Sequence, residues 1–179
     1  MSVTSRGLCT RNASLSTSTA PVLLAALGPV MLRLAGERAD GTILWLADER
    51  AIASHIAPRI TRAAEAAGRP APRIVAGIPV CLCLDSEVHA AVERTNRILS
   101  EAEVSPNYQR LLDQGDARDV GDILAAGSEA AIGKRLRAFA DAGVTDVSVR
   151  VVPLGQGRDE LLASLRRTRE LLGSLGPSI

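Results

Sequence analysis

The sequence predicts an α/β domain with a parallel sheet, on three observations. Short apolar, β-branched runs alternate along the chain with longer stretches at helical spacing, and Gly or Pro clusters separate them. The 179 residues are 46% hydrophobic yet include one Phe, one Trp and one Tyr, so the core is built from Ala, Val, Leu and Ile, a mixture that suits parallel strands covered by helices. The length fits one domain of roughly 100–200 residues, expected over 21–179. It follows a leader, residues 1–20, with nine Ser or Thr and no acid, which is expected to be disordered.

The first unit reads as a strand in Pro21-Val-Leu-Leu-Ala-Ala-Leu27, stopped by Gly28-Pro29, then a helix with Met31, Leu32, Leu34 and Ala35 at helical spacing. Asp40-Gly41 turns into a second strand, Thr42 to Leu46. Ala47-Asp48 leads into a helix with Ile52, Ile56 and Ile60 on one side, broken or kinked at Pro58. After a loop at residues 68–72, Arg73 to Leu84 fits a buried strand, with Pro79 marking a bulge or the strand's end. Asp85-Ser86 is expected to cap the next helix, which buries Val88, Ala91, Val92, Ile98 and Leu99 and turns Glu87, Glu93, Arg94 and Arg97 outward.

Residues 104–127 read as irregular apart from a short helix through Leu112, and long excursions of this kind often carry binding function. Ser128 caps a helix with Ile132, Leu136, Phe139 and Ala140 on one face, ended by Gly143. Thr145 to Val152 alternates as the last strand. The final helix shares a face among Leu161, Leu162, Leu165 and Leu172 and keeps Arg166, Arg167 and Arg169 wet. The expected order is βα four times, which is compatible with a doubly wound sheet or with part of a (β/α)8 barrel.

The charge balance excludes several functions. With 21 basic and 20 acidic residues and no basic stripe interleaved with aromatics, nucleic-acid binding is not expected. No apolar run nears the roughly 20 residues of a membrane helix, so a soluble, cytoplasmic protein is expected. Cys81-Leu-Cys83 puts two thiols on one face of a strand, read as small buried groups, not as a metal or redox site, because neither His55 nor His89 has motif spacing to them. Both histidines are read as surface or satisfied side chains. No nucleophile or acid–base pair stands out, so no catalytic residue is assigned.

Pro21-Val-Leu-Leu-Ala-Ala-Leu-Gly-Pro29, with Met31-Leu32, Leu34-Ala-Gly-Glu37 and Ala39-Asp-Gly41, resembles a block of the luciferase-like oxidoreductases. Ile56 to Ile60, Ala66 to Arg73, Ser105 to Leu112 and Asp141 to Asp146 carry further similarity, and the resemblance spans about residues 20 to 175. It is strongest to the branch that uses the deazaflavin coenzyme F420, and FMN serves a sister branch. The resemblance implies a partial (β/α)8 TIM barrel whose four βα units correspond to the C-terminal half of a fold of roughly 250 residues. It implies hydride transfer or monooxygenation on a small-molecule substrate. It also assigns Gly28, Pro29 and Met31 to the phosphate-bearing tail of the cofactor, with Leu46 and Ala47 as weaker candidates. Val30 departs from the Lys or Arg that many relatives carry there.

Two other readings stand beside it. A noncatalytic half-barrel remnant would act as an assembly module, a homo-oligomer or a partner to another chain through open barrel edges. An unrelated doubly wound binding domain would use Gly28 at a phosphate turn, but no G-x-G-x-x-G follows the strand. Trp45 could touch a flavin-like ring, although a lone Trp on a buried strand is usually core.

Overall fold

A computed structural model of the chain describes residues 20–103 and 106–175. The leader before Ala20 lies outside the described residues, and so does Ser105. The strands are β1 (Leu23–Ala25), β2 (Gly41–Trp45), β3 (Arg73–Leu82), β4 (Ala125–Gly127) and β5 (Asp146–Val151), all paired in parallel. The helices are α1 (Pro29–Arg38), α2 (Glu49–Ala51), α3 (Ala57–Ala66), α4 (Val88–Glu103), α5 (Pro106–Leu112), α6 (Glu129–Asp141) and α7 (Arg158–Ser174). Among the described residues five strands form where four were expected. The extra one, β4, lies inside the stretch read as irregular, because Ala-Ala-Gly has neither the length nor the β-branching that marks a strand.

Backbone polarity along β3 explains its two neighbours and its proline. The Arg73 amide donates to Asp40 O beside β2 and the Cys83 amide to Gly127 O at the end of β4, so odd-numbered groups point to one side. On the other side, Ile74 O and Val80 O accept from Thr145 and Val152 of the β5 segment. β4 therefore continues on the same flank as β2, beyond its end. Pro79 falls between them: β2 stops opposite Gly77 and β4 starts opposite Val80, so the missing N–H faces a position with no strand to receive it. Neither a bulge nor a strand end forms there, and β3 runs on to Leu82.

One face of the sheet carries Leu44, Ile74, Ala76, Ile78 and Val80, packed with Leu32, Ile52, Ile56, Ile60 and Phe139 of the helices into the main core. The opposite face, with Ile43 and Val75 side by side, lies away from that core, and Ile43 remains 40% exposed. At the C-terminal end of β3 a smaller cluster of Cys81, Ala91, Leu124 and Val152 covers this second face, where α4 reaches it. Gly41 is required because a Cβ there would overlap the Arg73 carbonyl.

Pro58 leaves the second helix running but loosens it. Ile52 to Ile56 forms a π turn, with the Ala57 amide reaching back five residues to Ile52 O, between α2 and α3. The wider turn accommodates a residue that can neither donate to the preceding turn nor fit under it. Ile52, Ile56 and Ile60 are all fully buried, as their spacing predicts. Gly68, with φ at 65°, ends α3, and the Arg69 amide closes back on Ala64 O.

One expected cap and two expected helix faces change. Asp85 and Ser86 form a 3-10 turn, and Glu87 instead caps the Leu84 amide at 2.9 Å. On α4, Ile98 is 38% exposed and Thr95 takes the buried position, its hydroxyl bonded to Ala91 O. On α7 the buried face is Ser164, Thr168 and Leu171, whereas Leu162 is exposed. The hydroxyls explain this: Thr168 Oγ1 accepts from the Leu82 amide where β5 has already ended, and Ser164 Oγ accepts from Leu154. Ser128 caps α6 and Gly143, at φ 104°, follows it, both as expected.

Arg73 and Asp146 join the starts of β3 and β5 through two hydrogen bonds, and this pairing with the arginine and Thr145 holds the Asp146 carboxyl below its ordinary pKa. A carboxylate depressed in the folded state stabilises above its unfolded pKa, and that stabilisation is lost as pH falls through the folded value. Because the pair is partly exposed, the effect is small. Asp146→Asn is expected to lower the urea midpoint at pH 7 but not at pH 2, and an equal deficit at both would assign the loss to packing.

Candidate functional site

The C-terminal end of β1 opens directly onto the start of α1. Gly28 is the N-cap residue, in extended conformation and without a side chain to cap the helix, and Pro29 occupies the first turn, where its missing N–H costs nothing. The remaining first-turn amides have no partner within the helix, so this end presents N–H groups and the positive end of the helix dipole. A Cβ on Gly28 would meet nothing within 4 Å, which shows how open the approach is.

A cavity of about 480 Å³ lies there, lined by Ala25, Leu27, Gly28, Pro29, Met31, His55, Arg110, Leu111 and Gln114. Three of the five residues singled out in the sequence, Gly28, Pro29 and Met31, thus share one cavity. The structure does not bring Leu46 and Ala47 to it. Leu46 is fully buried and Ala47 nearly so, both in the main core. Leu46 takes a left-handed backbone, φ 58°, an uncommon state for a residue with a Cβ, as the chain leaves β2 for the Asp48 cap.

Sequence reasoning missed His55 and Arg110. His55, expected as a surface or satisfied side chain, is half-buried against the cavity, with Nε2 3.2 Å from Leu27 O and a buried Nδ1 that has no hydrogen-bond partner. The π turn, invisible to a 3.6-residue period, sets its direction. Arg110 comes from α5, whose place over β1 is a tertiary fact that no local spacing reveals. His89 is exposed beside Glu93, at 3.3 Å.

The loop after α5 is tied to the start of α2 by Asp48. Its buried carboxylate accepts from the Ala51 amide at 2.7 Å, as a helix cap, and from the amides of Asp116 and Ala117 at 2.6 and 2.8 Å. Arg50 pairs with Asp116 across the same junction.

A second cavity, about 580 Å³, lies at the end of β3 between Cys83, Asp85, Glu87, Ser128, Glu129 and Arg167. Three carboxylates against one guanidinium disfavour an anion there, whereas the β1 cavity pairs a guanidinium and an imidazole with a helix start. Cys81 is fully buried, and desolvation together with the neighbouring Cys83 pushes its thiol up to about 12, so it is protonated and unreactive at neutral pH. Among the described residues no three His, Cys, Asp or Glu side chains come together as a metal site, and no helix is long and apolar enough to cross a membrane. Trp45 is half-buried on the face away from the helices, with the Arg150 guanidinium 5.9 Å above its ring.

Residues 4–146 match the profile of the luciferase-like monooxygenase family. The chain belongs to that family. A search of curated proteins gives no significant match. Among solved structures, the coenzyme F420-dependent tetrahydromethanopterin reductase from Methanopyrus kandleri superposes with a TM-score of 0.52 at 20% identity, over 83% of this chain and 49% of that one. An F420-dependent secondary alcohol dehydrogenase, solved with an F420-acetone adduct, gives 0.58 at 14% identity, over 84% and 48%. The EDTA monooxygenase from Chelativorans sp. BNC1 gives 0.56 at 17% identity, over 86% and 44%. These luciferase-like neighbours share the fold, and the chain spans about half their length. The α/β domain is a partial TIM barrel, as the resemblance implied.

Proposed function

We propose that the β1 cavity holds the phosphate-bearing tail of a deazaflavin, coenzyme F420, with FMN as the alternative, and that the chain is the C-terminal half of an oxidoreductase acting on a small molecule. The observation that carries this is the convergence of Gly28, Pro29, Met31, His55 and Arg110 around one opening at the C-terminal end of a parallel strand. Ligands of (β/α)8 folds sit at that end. The first-turn amides of α1 would receive phosphate oxygens. Arg110 would supply the positive charge that Val30, 66% exposed, cannot, and the unpartnered His55 Nδ1 would gain an acceptor or donor. The ring of the bound cofactor would supply the hydride chemistry; this half contributes orientation, and no catalytic residue is assigned to it.

Fluorescence titration of the folded chain with F420 and, separately, with FMN tests this. Saturable micromolar binding of one of them is expected, weakened about tenfold or more in Arg110→Ala, the loss of one charge-assisted contact. Folded protein that binds neither overturns the reading.

A further inference from the structure

The face of the sheet away from the main core changes character along its length. At its lower level Ile43 and Val75 stand side by side, and Arg73 and Asp146 neutralise one another at the starts of their strands. Toward the C-terminal ends the register brings Trp45, Gly77, Ser148 and Arg150 to the same face. Barrel interiors are filled by layers of branched apolar side chains, and ligands meet the C-terminal ends of the strands. A guanidinium is out of place in such a layer unless it meets a negative charge, because a charge taken out of water unpaired is costly. The strand residues around Arg150 on this face are Trp45, Gly77, Pro79 and Ser148, none of them acidic.

A Cβ at residue 77 would overlap the Trp45 ring, so glycine is what lets the indole lie against β3. The Arg150 guanidinium sits over that ring, 5.9 Å from its centroid. A guanidinium laid over a ring by its face keeps its N–H fork in the plane, the geometry that receives a carboxylate through two parallel hydrogen bonds. A second guanidinium addresses the same side of β3. The charge of Arg94, on α4, acts on Cys81, which points the way Gly77 does, and the buried Nε of Arg94 has no hydrogen-bond partner. A buried donor of this kind is rarely left without an acceptor.

We propose that this face binds the carboxylate of a small organic acid on the Arg150 fork, with Trp45 as its floor and Arg94 as a second cation, and that such an acid is the substrate. Only the role as substrate rests on the oxidoreductase reading above; the binding rests on the face itself.

Trp45 is the sole tryptophan, so its fluorescence reports on this face alone. At constant ionic strength, benzoate is expected to change that fluorescence saturably, with a dissociation constant of about 1 mM for so small an acid. Benzamide, which keeps the shape without the charge, is expected to bind at least about tenfold more weakly. Arg150→Gln is expected to lose about tenfold or more in benzoate affinity, and Arg150→Lys, which keeps the charge but not the fork, to lose less. Arg150 is exposed in this chain, so circular dichroism is expected to stay native in both. Arg150→Gln is expected to leave F420 and FMN affinity unchanged, whereas Arg110→Ala lowers it, so the two readings fail separately. The proposal is overturned by the absence of a saturable response, by an equal response to benzamide, or by a benzoate affinity indifferent to Arg150→Gln. A cofactor affinity that falls in Arg150→Gln overturns it as well, because the face would then belong to the cofactor.

Discussion

Phe139→Ala is expected to destabilise the chain by about 3–5 kcal/mol, the range for emptying a buried aromatic site. Phe139 is the sole phenylalanine, fully buried on α6 in the main core among Ile, Leu and Val side chains, with the Arg135 guanidinium 5.6 Å from its ring centroid. The other fully buried side chains of that core are aliphatic, and Trp45 and Tyr108 are only partly buried against it. A domain of this length has about 5–15 kcal/mol in hand, so the variant is expected to lose a large part of its folded margin and to melt roughly 6–20 °C lower, at about 2–4 °C per kcal/mol, or without a cooperative transition. Phe139→Leu keeps most of the volume and is expected to cost about 1 kcal/mol. Urea unfolding followed by circular dichroism measures both; equal, small losses would show a core loose enough to tolerate the cavity.

Asp48→Ala comes next, at about 3 kcal/mol. Three backbone amides converge on its carboxylate, one a helix cap and two from the loop after α5. Hydrogen bonds to a charged group contribute about 1.5–3 kcal/mol each, but the loop amides can turn to water once released, so the sum overstates the loss. Asp48→Asn keeps an acceptor and is expected to lose about 1 kcal/mol. Gly115 packs so tightly on the carboxylate that a Cβ there would overlap it, so the alanine variant also leaves this contact empty. Hydrogen exchange should rise across residues 113–118 before global unfolding. Because α5 carries Arg110, the same variant is expected to weaken cofactor binding; unchanged exchange in that loop would show that Asp48 acts only as a cap.

Local signals were legible wherever a short stretch decides its own geometry. Pro29 inside the start of a helix, Ser128 before one and Gly143 after one each behave as their chemistry requires. The isoleucines at 52, 56 and 60 mark a buried face although the helix between them is not regular. Legibility failed where partners lie far apart in sequence. Thr95, Ser164 and Thr168 are hydrophilic by composition yet occupy buried stripes, because each hydroxyl has a partner, some of them in distant segments. β4 depends on β3 for its existence, its own residues having no strand character. At the site, the glycine and proline were visible because a strand-to-helix turn restricts residue type, whereas Arg110 is ordinary in its own helix and meaningful only across from β1.

The π turn at Ile52–Ile56 also records a length. Such a turn holds one residue more than an α-helical path between the same ends, and at about 100° of rotation per residue taking that residue out would swing His55 a quarter-turn or more around the helix. Relatives one residue shorter between the cap at Asp48 and the buried Ile60 are thus expected to present a different side chain to Leu27. In this family, counting residues across that interval would sort members by what they show the cavity before any side chain is compared.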